Sequence, residues 1–187
     1  MLNGEAKQEI QKLFETLQLP DLGPGPRPGI KPEAELKKHL DKCLVDARTP
    51  FEQRELISAL VLLWHDHLDA AHELAQEIDN ATGAFVHGIM HRREPDYGNA
   101  AYWFRRVGKH AAFGEIANRA GKALETKGEA ELARKLTPGG EWDAFAFISA
   151  CERAARNSAS DEERKTLREL QAIETSVLFD WICDQHG

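Results

Sequence analysis

Residues 51–108 of the 187-residue chain read FEQRELISALVLLWHDHLDAAHELAQEIDNATGAFVHGIMHRREPDYGNAAYWFRRVG and contain its clearest structural pattern. Apolar side chains recur every three or four residues, which is the spacing of one face of an α helix. The first segment, residues 50–65, is apolar on most sides and predicts a central, buried helix. Three further helices are predicted, from residue 66 or 69 to 78, over 84–93 and over 96–107.

Capping residues predict where these helices begin and end. Thr49, Pro50 and Glu52 show the pattern of a capping box, with the proline at the first helical position. Asp66 or Asp69 is predicted to cap the second helix, and Asp96 the fourth. The sequence Asn-Ala-Thr-Gly at residues 80–83 is predicted to end the helix that precedes it.

The two halves of this stretch share one plan. Three positions in the first half recur thirty residues later, and the corresponding residues are Ser58, Ala70 and Leu74 and then Gly88, Ala100 and Phe104. This pattern resembles the tetratricopeptide repeat, in which small residues let paired helices approach closely. The segment DYGNAAYWFRRVG is similar to the second helix of Sel1-like repeats, and the resemblance covers residues 51–114. The longer segment HRREPDYGNAAYWFRRVG also resembles the signature of a family of bacterial and fungal proteins that implies no particular activity.

The remainder of the chain is also predicted to be helical. A terminal helix is expected over residues 5–19, a second from Pro32, three between residues 110 and 156, and a long last helix opened by Ser160 and Glu163. No stretch alternates in the way that predicts a strand. We therefore predict an all-α fold, a single domain over residues 1–187 with about nine or ten helices and a tetratricopeptide-like pair of hairpins at its centre.

Residues 20–32 are rich in proline and glycine and are predicted to lack regular structure. Proline has no backbone donor and a fixed φ, so neither helix nor strand is expected here. We interpret the segment as a linker or as an arm laid across the surface. A proline-rich ligand for another domain is the alternative interpretation.

Composition and charge narrow the class of protein. The formal net charge of -7 disfavours binding to nucleic acid or to an anionic membrane, because both need a basic surface. Three cysteines without a CxxC motif favour a reducing compartment. No apolar run approaches the roughly 18 residues of a membrane span. We predict a cytoplasmic protein with no nucleic-acid or membrane partner, and the sequence leaves the oligomeric state open.

Five of the eight histidines lie between His65 and His91. His87, His91 and Glu94 are spaced to share one helical face, which is ligand spacing for zinc or another divalent ion. The zincin motif is absent, because Gly88 stands where that motif requires a glutamate. The candidates for a further metal ligand are His72, His67 and His65.

Two other interpretations of the histidines stay open. In the repeat register they occupy positions that pack between helices, so they are also compatible with a buried hydrogen-bond network that includes Asp66 or Asp69. The pair His65-Asp66 also resembles the metal-dependent HD phosphohydrolases. By that resemblance His39 and Asp96 complete the set of metal ligands.

Arginines and aromatic residues follow the histidines in the sequence. An arginine fork binds carboxylate or phosphate with two hydrogen bonds, and aromatic rings stack planar groups or hold arginines in place. We therefore predict an anion-binding site, with ion pairs on a solvated face as the alternative. The candidate ligand-binding residues are Arg92, Arg93, Tyr97, Tyr102, Trp103, Arg105 and Arg106.

Two functions are compatible with these residues. The first is a helical-repeat binding module whose groove takes a small anionic molecule or a peptide segment, anchored by the arginines. The second is a metal-dependent hydrolase or related enzyme centred on His87, His91 and Glu94, in which a divalent ion activates water. We favour the first, and leave open whether the protein is an enzyme and whether it carries a metal.

Overall fold

The computed structural model describes residues 2–156 and 159–185, and every regular element in these two ranges is helical. Its ten α helices confirm the predicted all-α fold. They are α1 (Gly4–Gln11), α2 (Glu33–Asp46), α3 (Phe51–Trp64), α4 (Leu68–Ala75), α5 (Ala81–Arg93), α6 (Tyr97–Val107), α7 (Ala112–Thr126), α8 (Ala130–Leu136), α9 (Ala144–Ala155) and α10 (Asp161–Asp184). Short 3-10 helices lie at Lys12–Phe14 and Pro138–Gly140. None of the helices described has the length and hydropathy needed to cross a bilayer.

Helix α3 lies at the centre of the molecule, as its sequence predicts. It packs against α2, α4, α5 and α10. Ile57, Leu60 and Leu62 on this helix have no exposed surface. Because α3 is apolar on most sides, burying it against four neighbours removes a large apolar area from water and organises the core around it.

The boundary between α4 and α5 differs from the prediction. Asn80, which was expected to end a helix, is the N-cap of α5: its side-chain oxygen accepts hydrogen bonds from the backbone N–H groups of Thr82 and Gly83 at 3.0 and 2.9 Å. Helix α4 ends at Ala75 and α5 begins at Ala81. The first N–H groups of a helix have no partner within the helix, and the asparagine satisfies two of them.

The prediction of a capping box at the start of α3 is wrong. Pro50 precedes the helix, which begins at Phe51 without a side-chain cap. The Thr49 hydroxyl is buried without a hydrogen-bond partner. Glu52 accepts a hydrogen bond from the side chain of Asn80 at 3.2 Å, so it joins α3 to the start of α5.

Two other predicted caps are confirmed. The carboxylate of Asp96 accepts a hydrogen bond from the N–H of Asn99 at 3.1 Å, and α6 follows directly. The hydroxyl of Ser160 accepts one from the N–H of Glu163 at 3.1 Å, at the start of α10. Pro32, which was predicted to open α2, lies one residue before it.

Helices α5 and α6 approach closely at Gly88. A Cβ atom at this position would lie 2.5 Å from Cε2 of Phe104, which is itself buried. The expectation that Gly88 sits at a close helix–helix contact is therefore confirmed. This contact brings the histidine-bearing face of α5 next to the aromatic residues of α6.

Residues 15–31, which we call the arm, run from the first 3-10 helix to α2 and are docked on the domain. Pro20, Leu22 and Arg27 are buried, and most of the other arm residues are exposed. Asp66 lies beneath the arm with its backbone at a φ of 64°. The prediction that Asp66 or Asp69 caps α4 is wrong, because α4 begins at Leu68 without a side-chain cap.

Candidate functional site

Three of the predicted metal ligands lie together where α4 meets α5. The ring centroid of His72 is 5.2 Å from that of His87 and 5.6 Å from that of His91. The His87 and His91 rings, one turn apart on α5, are 6.3 Å apart. Trp103 of α6 stacks on His87 with a centroid distance of 4.0 Å and an interplanar angle of 11°. We call these four residues the histidine–tryptophan cluster.

His87 has one satisfied and one unsatisfied ring nitrogen. Its Nδ1 lies 3.1 Å from the carbonyl oxygen of Gly83, one turn earlier on α5. A carbonyl only accepts, so Nδ1 carries the hydrogen of the neutral ring and Nε2 carries a lone pair. This Nε2 is buried and has no hydrogen-bond partner. Burial lowers the pKa of His87 to about 4, so the ring is neutral at pH 7.

His91 is oriented by Glu94. Its Nδ1 lies 3.0 Å from the Glu94 carboxylate, and the two residues are three apart in sequence, as the predicted shared face requires. Glu94 is the C-cap residue of α5 and is more exposed than His91. The carboxylate accepts from Nδ1–H, so it fixes the orientation of the imidazole.

The outer side of the cluster is formed by α6. Tyr102 is 45% exposed, and its ring contacts Trp103 edge-on at 5.5 Å. The guanidinium carbon of Arg106 lies 5.3 Å from the Trp103 ring centroid. Arg106 donates to the carboxylate of Asp79 at 2.7 Å, and both of these side chains are exposed. This side therefore presents two aromatic rings and a cation to solvent.

The predicted cluster of four arginines on one surface does not form, because Arg92 lies in the core. Arg92 is fully buried and donates two hydrogen bonds to Glu174 of α10, at 3.2 and 2.5 Å. The indole N–H of Trp142 donates to the same carboxylate at 3.1 Å. The Phe147 ring lies 4.4 Å from the guanidinium carbon. Arg92 thus joins α5 to α9 and α10 and is not an exposed anchor.

Arg93 is also buried, on the side of the arm. It donates to Asp66 at 2.6 Å, to the carbonyl of Gly23 at 3.1 Å, and to the carbonyl of Leu63. The side chain of Arg27 donates to the same Asp66 oxygen at 2.6 Å. Arg93 therefore holds the arm in place and, like Arg92, is not exposed for binding a ligand.

Of the predicted ligand-binding residues, those on α6 remain accessible. Arg105 and Arg106 are exposed in the last turn of α6, and Lys109 follows them at the surface. Tyr97 is half-buried against the hydrophobic core, and burial raises its pKa. The surface of the candidate site therefore consists of the α6 side chains together with the histidine–tryptophan cluster.

His65 and His67 hold the arm and lie outside the histidine–tryptophan cluster. The Nδ1 of His65 accepts from the N–H of Lys31 at 3.1 Å, and its Nε2 donates to the carbonyl of Leu13 at 2.8 Å. His67 uses Nε2 to donate to the carbonyl of Lys31 at 2.9 Å. Burial lowers the pKa of His65, so its ring is neutral at pH 7. Both residues bind backbone groups of the segment before α2.

Across residues 2–156 and 159–185, no group of three or more histidine, cysteine, aspartate or glutamate side chains is arranged to hold a metal ion. Asp66 and Asp96, which the resemblance to HD phosphohydrolases requires as ligands, bind arginines and cap α6 respectively. The side chains of the site can bind a ligand through hydrogen bonds. The site combines an unprotonated, buried acceptor at His87 with an exposed cation at Arg106.

No protein-family model, curated protein or solved structure matches the chain. The resemblance of residues 51–114 to tetratricopeptide and Sel1-like repeats therefore stays a prediction, as does the resemblance to the HRREPDYGNAAYWFRRVG signature.

Two contacts of the predicted site residues were missed in the sequence. Glu174 lies 82 residues from Arg92, and no local pattern identifies a pair so distant. The second, Gly83, was detectable: an asparagine N-cap at Asn80 places the carbonyl of Gly83 one turn before His87. If Asn80 is taken as the N-cap of a helix, the contact between His87 and the carbonyl of Gly83 can be predicted from the sequence.

Proposed function

We propose that the protein is a binding module that takes an acidic peptide segment or a small anionic molecule at the histidine–tryptophan cluster and the adjoining face of α6. The proposal rests on the buried Nε2 of His87. This atom has no hydrogen-bond partner, and His87 is only 1% exposed. An unsatisfied buried polar atom costs on the order of 1–3 kcal/mol. A donor on a ligand would remove that cost.

The protonation state of His87 determines which kind of ligand group its Nε2 can bind. Because its pKa is about 4, the ring is neutral at pH 7 and Nε2 is an acceptor. Its partner must therefore be an N–H or O–H group. A peptide backbone supplies an N–H at every residue except proline.

The charge of α6 favours an acidic ligand. The side chains of Arg106 and Asp79 are 45% and 89% exposed, and an ion pair between such exposed groups contributes little. A carboxylate on a ligand can replace Asp79 and bind the guanidinium with two hydrogen bonds. Arg105 and Lys109, also exposed, add to the positive potential at this end of α6.

Aromatic side chains supply the apolar part of the site. Tyr102 is exposed, and Trp103 and His72 are half-buried. His72 and Trp103 are both in ring contact with His87, and we propose that a side-chain shift at this contact gives a ligand access to Nε2. Aromatic rings bury a large area for little loss of conformational entropy, which suits them to binding surfaces.

The test uses two fluorescein-labelled nonapeptide libraries, one with glutamate and one with glutamine fixed at the central position. We expect the protein to bind the glutamate library more tightly in anisotropy titrations. Arg106→Ala and His87→Phe should each weaken binding by about ten-fold or more, equivalent to 1.4 kcal/mol. Phenylalanine keeps a flat ring against Trp103 and removes both ring nitrogens.

Arg119→Ala is the matched control. The Arg119 side chain is 43% exposed and pairs with Glu115 at 2.7 Å, which matches the exposure and ion-pair distance of Arg106. It lies on α7, which carries no residue of the cluster, and its loss should leave binding unchanged. Equal affinity for the two libraries, or equal effects of Arg106→Ala and Arg119→Ala, would contradict the proposed function.

A further inference from the structure

The surface beneath the arm is a groove formed by α3, α5 and α10. Its polar side chains donate hydrogen bonds to main-chain carbonyl groups of the arm. The pairs are Arg168 with Leu19 and with Pro20 at 3.2 Å, Gln171 with Asp21 at 3.0 Å, and Arg93 with Gly23 at 3.1 Å. Every peptide has carbonyl groups, so this mode of recognition depends little on the sequence of the segment that is bound.

The arm adds only a few side-chain anchors to these backbone contacts. Pro20, Leu22 and Arg27 are buried, whereas most other residues of the arm are exposed. A bound segment held through its main chain and two or three anchors is the usual form of an extended peptide ligand. The arm therefore occupies the groove in the way that a separate peptide would.

The arm brings an unbalanced charge into the groove. Arg27 and Arg93 are both buried and share the carboxylate of Asp66, so two cations face one anion. Nearby, the half-buried Arg168 and the exposed Asp21 offset each other. Without Arg27, Asp66 and Arg93 remain as a balanced pair. Docking of the arm thus adds a second buried cation to a site that is already neutral.

The arm also leaves a buried acceptor unsatisfied. Gln171 is 2% exposed; its amide nitrogen donates to the arm, but its Oε1 has no hydrogen-bond partner. Pro20 lines the same small cavity as Gln171 and has no backbone N–H to offer. A segment with a donor at this point would complete the hydrogen bonds of Gln171.

We propose that the arm is an intramolecular substitute for an extended peptide segment of a partner protein, and that the groove binds such a segment when the arm lifts. The segment that fits has apolar residues at the places of Pro20 and Leu22, an N–H facing Gln171, and no cation against Asp66. This groove is separate from the histidine–tryptophan cluster, and the inference does not depend on the function proposed for that cluster.

Two glycines of the arm provide a matched pair of variants. Gly25 and Gly29 have nearly equal φ values of 83° and 80°. A Cβ atom at Gly25 would lie 2.7 Å from Cγ of Asp66, whereas one at Gly29 would meet nothing within 4 Å. We therefore expect Gly25→Ala to displace the arm, and the substitution itself removes none of the donors of the groove. Gly29→Ala introduces similar backbone strain without the clash.

The probe is a fluorescein-labelled peptide of residues 15–31, ETLQLPDLGPGPRPGIK, added to the 187-residue protein. A tethered segment competes at an effective concentration in the millimolar range, so release of the arm should strengthen binding of the free peptide. We expect Gly25→Ala to bind the peptide at least about ten-fold more tightly than the wild type or Gly29→Ala. A scrambled peptide of the same composition should not bind any of them.

Hydrogen exchange of the same three proteins shows whether the arm opens by itself. The N–H of Arg27 donates to Asp66 at 2.9 Å and that of Lys31 to His65 at 3.1 Å, so both report docking. We expect both to exchange faster in Gly25→Ala while amides of α3 stay protected. The inference is overturned if the released variant does not bind the peptide. It is also overturned if the arm amides exchange only together with those of α3 in all three proteins.

Discussion

At the scale of single residues, burial keeps histidines neutral and thereby sets what they can bind. The pKa of His110, like that of His87, is lowered to about 4 by burial. The Nδ1 of His110 accepts a hydrogen bond from the N–H of Ala112 at 3.2 Å, and its ring lies 4.5 Å from that of Trp181. In the neutral form such a ring has one nitrogen that accepts a hydrogen bond. Protonation places a charge on a buried ring and therefore destabilises the folded state.

The stability of the protein should therefore fall in mild acid. An unfolded histidine has a pKa of about 6.5, so below that pH the unfolded chain binds more protons than the folded one. The free energy of unfolding then decreases as pH falls from about 6.5 towards 4, by about 2 kcal/mol at pH 5 for each such histidine. Urea unfolding of the wild type and His110→Phe at pH 7, 6 and 5 measures the effect. The variant should show the smaller loss, and equal losses would contradict the account.

Residue-level prediction succeeded where spacing along one helix was enough. The spacing of His87, His91 and Glu94 predicted a shared face, and the His91–Glu94 contact at 3.0 Å realises it. It failed for Arg92 and Arg93, which lie on the same helix but bind buried carboxylates in other parts of the chain. Spacing shows which residues share a face; which face is covered depends on neighbours that are distant in sequence.

At the scale of helices, the α5–α6 contact depends on the absence of a side chain at Gly88. Gly88→Ala would place a Cβ 2.5 Å from the ring of Phe104, and a buried ring has little room to move. Overpacking of this kind costs about 1–3 kcal/mol. The free energy of unfolding from urea denaturation should fall by that amount, and Phe104→Leu in the same protein should recover part of the loss.

Gly114→Ala on α7 is the control for this prediction. A Cβ there meets nothing within 4 Å, so alanine should leave stability unchanged or raise it by about 0.5–1 kcal/mol through helix propensity. If Gly88→Ala behaves like Gly114→Ala, the close packing of α5 and α6 is not a stability determinant.

Helices were more predictable than their boundaries. The three- and four-residue period of residues 51–108 is a property of the helices themselves, and α3, α5 and α6 appear where it places them. The caps at Asp96 and Ser160 use local hydrogen bonds and were also predictable. Thr49 and Asp66 are of residue types that often cap helices. In the structure, however, α3 begins without a side-chain cap from Thr49, and Asp66 accepts a hydrogen bond from the arm.

At the scale of the whole molecule, the buried pair of Arg92 and Glu174 joins α5 to α10 in the C-terminal half. Glu174→Gln would leave the fully buried Arg92 without a counter-charge, which costs about 3–5 kcal/mol. Glu169→Gln on the same helix is the control, because Glu169 is part-exposed and pairs with Lys127 at 2.9 Å. It should cost less than about 1 kcal/mol in urea unfolding. Similar losses for the two variants would show that the buried pair does not join α5 to α10.

The all-α class could be predicted from the helical periodicity and the absence of strand patterns. The packing of the arm and of α10 against the rest of the domain could not be predicted in this way. The Arg92–Glu174 pair and the contacts of the arm with Arg168 and Gln171 join residues far apart in sequence. In particular, a proline- and glycine-rich segment has no period of its own, so its docking is determined by the groove that receives it. That groove exists only once α3, α5 and α10 are assembled.

The proposed function requires the unprotonated Nε2 of His87 to accept a hydrogen bond from a ligand. A two-bond proton–nitrogen correlation spectrum of the imidazoles at pH 7 tests it directly, before and after saturation with the tightest-binding glutamate nonapeptide. We expect the free protein to show a protonated Nδ1 and an unprotonated Nε2 at His87, and Nε2 to move to a hydrogen-bonded shift on saturation. A protonated Nε2 in the free protein, or a resonance that the bound peptide leaves unchanged, would contradict the account.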